Sequence, residues 1–413
     1  MKRHVWSACL LAAALALCLL AGCGTAPAEQ PEQAPESAVQ AAASAPERQE
    51  YRAVWISYLE YQTMDFGSEE SFRAQFAGMM DNIAALGLNT VIAQVRPYGD
   101  ALYPSALFPW SDLCTGEQGK DPGFDPLAVM LEEAHSRGLR LEAWVNPYRM
   151  RLNEEVPAAL AASSPAVQHP EWTREVNGGL WLDPSSPAVQ QYIVDGVTEI
   201  LEHYPVDGIH FDDYFYPTVE ENFDAAEYAA SGTAVSLDAW RRQNVDALVR
   251  AVYDAVKAHD PAVQFGISPQ GNPDNNYQMQ YSDVALWMRE GGYVDYVMPQ
   301  VYWGWGYQLQ SGSDRFAFEN ITAEWRSMER SPSVALYFGL GAYRIGAGDG
   351  GANPDSLTQW ESGDNLARMV HALREEGADG YALFRYDHLY RNGQWPELAA
   401  AETAALTAEN APQ

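Results

Sequence analysis

Cysteine is scarce in this sequence, and its placement argues against a disulfide-stabilised fold. The chain of 413 residues contains four cysteines, three of which (Cys9, Cys18 and Cys23) fall within its first 23 residues. Cys114 stands alone in the remainder and has no second cysteine with which to pair. A nucleophilic thiol would also need a base beside it, and the residues around Cys114 suggest none.

Basic residues are scarce as well. Lysine and arginine together number 25 against 56 aspartates and glutamates, so the formal net charge is −31. A surface of that sign repels phosphate backbones and anionic lipid head groups. We therefore expect no nucleic acid as a partner, and membrane contact only through a lipid anchor. The charge does not identify the ligand.

The sequence also lacks the motifs of several enzyme classes. It contains no His-x-x-x-His or His-Glu-x-x-His motif, no Walker loop and no Gly-x-Ser-x-Gly nucleophile elbow. The glycines within residues 339–346 do not have the spacing of a dinucleotide fingerprint. We therefore predict no metal site and no cofactor.

The N-terminus carries a targeting signal. Lys2 and Arg3 precede an apolar segment over residues 6–20, which is too short and too early for an ordinary spanning helix. Residues 20–23 read LAGC and match the lipobox of bacterial lipoprotein signals. The pattern predicts cleavage before Cys23 and its acylation, for example with palmitate. The protein would then be exported and anchored to a bacterial membrane, facing outside the cytoplasm. A plain secretory signal is the alternative.

Three segments follow from this pattern. Residues 1–22 are the predicted signal peptide. Residues 23–49 are the lipidated cysteine and a disordered tether, because the chain there is rich in Ala, Pro, Glu, Gln and Ser without apolar periodicity. Residues 50–408 are the predicted folded domain.

Short apolar runs alternate with amphipathic stretches through the folded domain. Eight runs are expected to be strands, at residues 54–57, 90–96, 140–146, 208–214, 264–269, 293–302, 335–343 and 380–387. Helices are expected at residues 70–86, 125–137, 187–203, 237–258, 280–290, 315–328, 363–376 and 395–408. Eight such repeats favour an α/β fold of the (β/α)₈ TIM-barrel type over a doubly wound sheet.

Two connections are unusually long, over residues 97–125 and 147–187. Each follows a predicted strand, so each would lie at the C-terminal mouth of the barrel. Long loops at this end of a barrel usually carry function.

The most informative segment is GIHFDDYFYP over residues 208–217. It reads as a strand that ends in two carboxylates, followed by aromatic residues. Alternation places His210, Asp212 and Tyr214 on one side of the strand and Asp213 on the other. Carboxylates beside aromatic rings suit a sugar, whose hydroxyls and flat ring faces need both. The alternative is that Asp212 or Asp213 caps the following loop.

Other predicted strand ends repeat this combination of polar and aromatic residues. They are, in chain order, Gln94, Arg96, Tyr98, Asp100, Glu142, Trp144, Asn146, Tyr148, Arg149, Ser268, Gln270, Gln300, Tyr302, Trp303, Trp305, Arg385, Tyr386, Asp387 and His388. Each alone is equally consistent with a structural contact, but their convergence on one end of a barrel indicates a site. Asp183, in a loop before a predicted helix, would bind substrate or fix its loop.

These residues resemble the glycosyl hydrolase-like 10 family of exported proteins. The matching segments are RAVW (52–55), QVRPYGDALYPS (94–105), GKDPGFDPL (119–127), AWVNPYR (143–149), LDP (182–184), GIHFDDYFYP (208–217) and PQVYW (299–303). The resemblance spans about residues 50 to 390. It implies a barrel similar to that of α-amylases, with a glycosidase-like site. It also implies a protein of a kind that is often lipid-anchored. One branch of the family cleaves peptidoglycan glycan strands stripped of their peptides.

The sequence departs from the family pattern at two positions. Glu142 stands where the family usually has a histidine, and Gln270 follows Pro269 where an aromatic residue is expected. By analogy with α-amylase-type barrels, Asp212 corresponds to the nucleophile. The acid that those enzymes carry on the fifth strand is not evident here.

The resulting hypothesis is a membrane-anchored glycoside hydrolase that uses two carboxylates on a cell-envelope or other extracellular polysaccharide, foremost peptidoglycan glycan strands. Asp212 would be the nucleophile or base, and the general acid would be Asp213, Glu142, Asp387 or Asp183. Because sequence neighbours on a strand point apart, Asp212 and Asp213 are not expected to form the pair.

Further residues are expected to bind the substrate. They are Gln94, Arg96, Asp100, Trp144, Asn146, Asp183, His210, Tyr214, Gln300, Tyr302 and Trp303, with Trp55, Trp144, Trp303 and Trp305 as platforms for sugar rings.

Two other functions remain open from the sequence. A non-catalytic glycan-binding lipoprotein would keep the aromatic residues but lack a second carboxylate facing Asp212 across the mouth. A metal-dependent deacetylase of cell-wall sugars would need histidines and aspartates converging on one point.

Overall fold

The computed structural model describes residues 49–154 and 156–412. These residues belong to one compact unit, Arg48–Gln413. The predicted signal peptide, the lipidation site at Cys23 and nearly all of the tether lie outside the described residues. Within the described ranges, no helix is long and apolar enough to span a membrane.

Twelve strands lie in the described part of the chain. They are β1 Tyr51–Ile56, β2 Thr90–Arg96, β3 Arg140–Val145, β4 Arg149–Arg151, β5 Thr173–Val176, β6 Gly179–Leu182, β7 Gly208–Phe211, β8 Gln264–Ile267, β9 Tyr296–Val297, β10 Gln300–Val301, β11 Ala335–Gly341 and β12 Gly380–Phe384.

Helices follow or connect these strands. They are α1 Tyr58–Tyr61, α2 Glu69–Ala85, α3 Asp112–Thr115, α4 Pro126–His135, α5 Pro165–Gln168, α6 Pro187–His203, α7 Ala225–Ser231, α8 Leu237–His259, α9 Pro273–Gln278, α10 Val284–Glu290, α11 Phe318–Ser327, α12 Pro354–Trp360, α13 Asn365–Glu375, α14 Tyr386–Tyr390 and α15 Pro396–Glu409.

The main sheet closes into the predicted parallel barrel. Its strands pair in the order β1–β2–β3–β7–β8–β9, and β10, β11 and β12 complete the circuit back to β1. Closure occurs at Tyr296 of β9, which pairs with Gly266 of β8 on one side and with Ala335 of β11 on the other. The (β/α)₈ prediction is confirmed, with β9 and β10 as the two halves of the sixth barrel strand.

A proline divides this sixth strand. Pro299 lies between β9 and β10 and has no N–H with which to continue the ladder. Its carbonyl still accepts from Gly339 of β11, at 2.9 Å, so the barrel remains closed at the break.

The local signals read from the sequence explain several helix ends. Ser186 caps α6 by accepting from Val189 N, and Pro187 occupies the first turn. Gly87 and Gly138 follow α2 and α4 with φ of 77° and 68°, which is the left-handed conformation that glycine adopts without strain.

The connection over residues 147–187 contains structure that the sequence analysis did not anticipate. Strands β4, β6 and β5 form a small antiparallel sheet there, and the short helix α5 lies between β4 and β5 in the chain. The sheet stands beside the mouth because β4 begins directly after β3. Several alternating residues in this segment are only partly buried, which weakens the apolar pattern by which strands are recognised.

The barrel separates two cores. A large apolar core lies between the strands and the outer helices. A smaller inner core, which includes Tyr51, Trp55, Trp144 and Tyr296, fills the barrel itself. The inner core is rich in aromatic groups that carry a polar atom, and it forms the floor beneath the mouth.

Two helical glycines provide a test of the packing between barrel and helices. A Cβ at Gly196 of α6 would lie against Arg96 Nη1 and 2.7 Å from Phe108 Cε2, whereas a Cβ at exposed Gly78 of α2 would meet no described atom within 4 Å. We expect Gly196→Ala to lower the free energy of unfolding by about 1–3 kcal/mol through overpacking. Gly78→Ala should raise it by about 0.5–1 kcal/mol because alanine favours the helix. Urea unfolding of both variants measures this, and a Gly196→Ala protein as stable as wild type would contradict the packing.

Candidate active site

A cavity of about 800 Å³ opens at the C-terminal mouth of the barrel. Its lining contains many of the residues selected from the sequence, namely Trp55, Gln94, Trp144, Asp212, Asp213, Tyr214, Gln300, Tyr302 and Asp387. The strand ends thus converge as the barrel prediction required.

Asp212, directly after β7, occupies the floor of this cavity. Its Oδ2 accepts from Asn146 Nδ2 at 2.5 Å and from Trp144 Nε1 at 3.2 Å. Its Oδ1 accepts from the backbone N–H of Tyr214 at 3.2 Å. Three N–H groups therefore surround one nearly buried carboxylate, and each favours the ionised form.

Asp213 reaches the same cavity, contrary to the expectation that the neighbours would point apart. The strand ends at Phe211, so alternation no longer applies, and the Asp212 bond to Tyr214 N turns the chain. The Asp213 carboxylate accepts from Gln300 Nε2 at 3.0 Å. Two adjacent carboxyl groups therefore face one cavity.

The two carboxyl groups influence each other's ionisation. Burial, and then the negative charge of Asp213, raise the pKa of Asp212 to about 7. Burial also raises the pKa of Asp213, against the opposing hydrogen bond from Gln300. Since ionising both carboxyls side by side is unfavourable, the pair holds one proton close to neutral pH.

An ordered chain of amides supports Asp212. The backbone N–H of Tyr58 donates to Gln94 Oε1 at 2.9 Å, and Gln94 Nε2 donates to Asn146 Oδ1 at 2.5 Å. Asn146 then donates to Asp212. Gln94 lines the cavity beside this chain, whereas Asn146 lies behind the carboxylate.

A second polar chain descends through the barrel interior below the cavity. Trp55 Nε1 donates to His210 Nε2 at 3.2 Å, which places the ring proton on Nδ1 and lets it donate to Tyr296 Oη at 2.8 Å. Tyr296 donates in turn to Glu142 Oε2 at 2.5 Å. Burial lowers the pKa of His210 to about 3, so this histidine is neutral.

His210 and Glu142 therefore do not contact the cavity. Glu142 is fully buried, and its neighbours are Tyr296 and Arg140, with Arg140 Nη2 at 3.5 Å from Oε1. Burial raises its pKa. Its depth below the floor separates it from any bound sugar, so the position differs from that expected of a general acid.

Asp387 lines the cavity on the opposite wall, because β12 lies four strands from β7 around the barrel. Arg385 Nη1 and Arg391 Nη1 lie 3.4 and 3.5 Å from its carboxylate oxygens. Burial raises the pKa of Asp387, and Glu60 adds to this, whereas the two arginines oppose it.

Glu60 was not identified from the sequence. It is fully buried in α1, where it accepts from Ser57 N at 2.9 Å and from Asp387 N at 3.0 Å, and it forms an ion pair with Arg385. Ser57 with Glu60 three positions later is a capping-box pattern that the sequence contained.

Arg96 does not contact the cavity, in contrast to its predicted role. The register between β2 and β3 shifts between Gln94 and Arg96, so that Arg96 pairs with outward-facing Val145. This bulge turns the guanidinium outwards against the ring of Phe108, at 4.2 Å from its centroid.

Asp100 and Asp183 are also absent from the cavity lining. Asp100 is fully buried in the connection over 97–125, where Gln118 Nε2 donates to it at 2.9 Å. Asp183 accepts from Ser185 Oγ at 2.7 Å and pairs with Arg174 at 2.9 Å. Asp183 therefore fixes its loop, which was the alternative considered.

Two tryptophans proposed as sugar platforms pack elsewhere. Trp303 stacks on Phe316 with ring centroids 5.0 Å apart, and Trp305 meets Phe318 at 4.6 Å. Trp55 and Trp144 do line the cavity. The sequence analysis missed further lining residues, namely Ser57, Tyr58, Tyr343, Arg391, Asn392 and Trp395. Most of them lie in loops beyond the strand ends that were inspected.

In the part of the chain that the structure describes, no group of three or more His, Cys, Asp or Glu side chains could hold a metal ion. The side chains that line the cavity bring carboxyl groups, amides, guanidinium groups, an imidazole and aromatic rings to it.

A closed (β/α)₈ barrel with carboxyl groups on the floor of a mouth cavity is an arrangement typical of glycoside hydrolases. Residues 50–355 match the sequence profile of the family described as Glycosyl hydrolase-like 10. The chain belongs to this family and is a glycoside hydrolase.

Two relatives support the assignment. The chain is 37% identical over 375 residues to "Glycosyl hydrolase YngK" of Bacillus subtilis, which covers 85% of this chain and 71% of the relative. It is 32% identical over 422 residues to "Glycosyl hydrolase DigH" of Escherichia coli, with 92% of each chain covered.

Solved structures with low identity share the fold alone. The catalytic domain of β-amylase from Paenibacillus polymyxa superposes with a TM-score of 0.55 at 11% identity, over 88% of this chain and 99% of that one. The glycoside hydrolase domain of PgaB from Bordetella bronchiseptica gives 0.51 at 14% identity, over 86% and 99%.

The burial of Asp100 predicts how stability depends on pH. Desolvation raises its pKa to about 7, against the opposing bond from Gln118, so the folded protein binds this proton more tightly than the unfolded chain does. The free energy of unfolding should therefore fall as pH rises from about 4 to about 7. Asp100→Asn removes this term, and above pH 7 it should be more stable than wild type by roughly 2–4 kcal/mol at most.

Urea unfolding at pH 5 and pH 8 measures this difference, with Asp254→Asn on the exposed face of α8 as the control for loss of one negative charge. A stability difference between Asp100→Asn and wild type that does not grow with pH would contradict the burial of an ionisable group.

Proposed function

We propose that this protein is a lipid-anchored hydrolase of a cell-envelope polysaccharide, peptidoglycan glycan strands foremost, and that Asp212 and Asp213 are its two catalytic carboxyl groups. The observation that carries the proposal is the coupled pair on the cavity floor, with both pKa values raised. A carboxyl that faces Asp212 across the mouth is the feature that favours a hydrolase over a glycan-binding protein, and Asp387 on the opposite wall provides it.

The pair provides both groups that glycoside hydrolysis needs. With one shared proton, one carboxyl donates to the departing glycosidic oxygen, while the other, ionised, either attacks the anomeric carbon itself or removes a proton from the water that attacks it. The raised pKa belongs to the pair, since either carboxyl is harder to ionise beside a charged neighbour, and we assign the ionised role to Asp212 because three N–H groups already point at its carboxylate. Asp213 then supplies the proton.

Aromatic groups around the pair suit a sugar. Trp55, Trp144, Tyr214 and Tyr302 line the cavity, and ring faces of this kind stack on pyranose rings. A volume of about 800 Å³ accommodates a short run of sugar units. The LAGC signal at residues 20–23 supports an anchored, extracytoplasmic protein, where cell-wall glycan is the available substrate.

The roles of the carboxyls are tested with peptide-free glycan strands and mass spectrometry of the products. Asp212→Asn and Asp213→Asn should each reduce kcat by about 10²–10⁴-fold because each removes an acid–base group. Binding of the strands should persist in both variants, since the cavity keeps its shape. Asp387→Asn is the matched control from the opposite wall and should lose less.

An aryl glycoside with an acidic phenol separates the acid from the base. Such a leaving group departs without protonation, so Asp213→Asn should recover much of its activity on it, whereas Asp212→Asn should not. Recovery in Asp387→Asn instead would move the general acid to the opposite wall. Strand binding by wild type without any product would support the glycan-binding alternative.

The shared proton also predicts a pH profile. Because the pair must hold one proton, kcat/KM should fall as pH rises through about 7. The second proton leaves the pair beside the negative charge of the neighbouring carboxylate, so this loss of activity is the alkaline limb of the profile. Asp213→Asn has no such neighbouring charge, and the aryl glycoside needs no acid, so its residual activity should show no alkaline limb near pH 7. An alkaline limb that is unchanged in this variant would contradict the coupling.

A further inference from the structure

We propose that a platform formed by Tyr277, Gln278 and Met279, outside the mouth cavity, binds sugar units of a glycan strand that extends beyond the cavity. The three residues lie at the end of α9, in the connection from β8 to α10. The proposal rests on the proposed function, because it assigns a second binding site to the same polysaccharide. None of the three residues lines the cavity itself.

The exposed apolar side chains of the described residues lie on one side of the barrel. In residues 49–154 and 156–412 the large ones are Leu152, Val167, Tyr214, Val219, Tyr277, Met279 and Leu357. Each belongs to a connection that runs from the C-terminal end of a barrel strand to the next outer helix. Tyr277 and Met279 are 45% and 47% exposed, two positions apart in the chain. Apolar surface that is confined to the functional end of a barrel indicates a binding surface.

Hydrogen bonds connect this platform to the floor of the cavity. Asn276 Oδ1 accepts from Gln270 N at 2.9 Å, and Asn276 Nδ2 donates to Gln270 O at 2.8 Å. Gln270 forms a parallel bridge with Gln300, whose Nε2 donates to Asp213. Since Gln300 lines the cavity and Asn276 precedes Tyr277, the platform continues the cavity on the β8 side.

The ring of Tyr277 is held in place by the protein itself. The Arg242 guanidinium on α8 lies 4.0 Å from the ring centroid, and Arg242 Nη1 donates to Tyr277 O at 3.2 Å. The other end of α9 is fixed by an ion pair of 2.5 Å between Asp274 and Arg315. A ring that is already fixed loses little conformational entropy on binding, so its exposed surface contributes fully to affinity.

The residues around the ring suit a neutral ligand that is rich in hydroxyl groups. Six of the eleven residues over 270–280 carry amide side chains. The one charged residue among them, Asp274, is paired with Arg315, although the chain as a whole carries a net charge of −31. Amides donate and accept, as sugar hydroxyls require, and a tyrosine ring stacks on a pyranose face. A charged protein partner would find no unpaired charge in this segment.

A second point of attachment makes binding depend on strand length. A disaccharide fits inside the cavity of about 800 Å³, whereas a longer strand extends beyond it. Once part of a strand occupies the cavity, binding of another part to the platform is intramolecular and gains from a high effective concentration. The platform therefore increases the affinity for long strands and not for short ones.

The test measures, by titration calorimetry, the affinity for two peptide-free fragments, a disaccharide and a strand of about ten sugars. The parent is full-length protein carrying Asp212→Asn, so that the fragments are not consumed. Adding Tyr277→Ala should weaken binding of the long strand by about three- to tenfold, as expected for the loss of one stacked ring. Adding Tyr277→Phe should preserve the affinity because the ring remains. Leu357→Ala is the matched control, since Leu357 is also 45% exposed but lies on a different connection.

A loss that is confined to the long strand and absent from Leu357→Ala supports the platform, whether or not the wild-type protein cleaves the strands. A loss shared by the disaccharide overturns it, because Tyr277 would then act within the cavity or on the fold. An unchanged affinity for the long strand also overturns it and leaves a protein as the occupant of this surface. The same loss in Leu357→Ala would overturn it as well. A parent that binds neither fragment contradicts both this proposal and the proposed function, whereas binding without cleavage by wild type contradicts only the latter.

Discussion

The constraint that organises this molecule is the burial of two neighbouring carboxyl groups at the end of β7. A nearly buried carboxylate is stable only when N–H groups replace its water. Asp212 obtains them from Trp144 and Asn146, both of which belong to or follow β3. The pairing of β3 with β7 in the closed barrel therefore has a direct chemical consequence, since a slip in that register would remove the donors from the acid.

The barrel interior meets the same requirement one layer lower. His210, Tyr296 and Glu142 hydrogen-bond in series, so each buried polar group satisfies the next. The resemblance to the family placed a histidine where Glu142 stands. The carboxylate is compatible with the interior because Tyr296 donates to it and Arg140 lies near it. Glu142 is thus part of the hydrogen-bonded chain that supports the cavity floor. That chain continues through His210 to Trp55 and keeps Trp55 in place.

Alternation and strand order predicted most of this architecture, and their failures have specific causes. The eight strands and the convergence of Gln94, Trp144, Asp212 and Gln300 followed from periodicity alone. Arg96 was misplaced because one extra residue in β2 reverses the side of the strand, and a bulge leaves no mark in an apolar run. Asp213 was misplaced because β7 ends at Phe211, three residues before the predicted end of the strand at residue 214. The depth of a side chain within the barrel could not be predicted either. Alternation gives the side of the strand on which a residue lies, but not how far below the mouth it lies.

The contacts of Asn146 explain why an amide, and not another carboxyl group, lies beside Asp212 at the cavity floor. Its Oδ1 accepts from Gln94 Nε2 and from Arg149 Nη2, which leaves its Nδ2 to face Asp212. A carboxylate at this position would accept on both sides and would place a third negative charge beside Asp212 and Asp213. The amide instead carries the donor direction from the Tyr58 backbone through Gln94 to the Asp212 carboxylate. The ends of β1, β2, β3 and β7 are thereby joined in one line of polarised bonds, and that line is fixed in orientation because a reversed amide at either residue would face donor with donor.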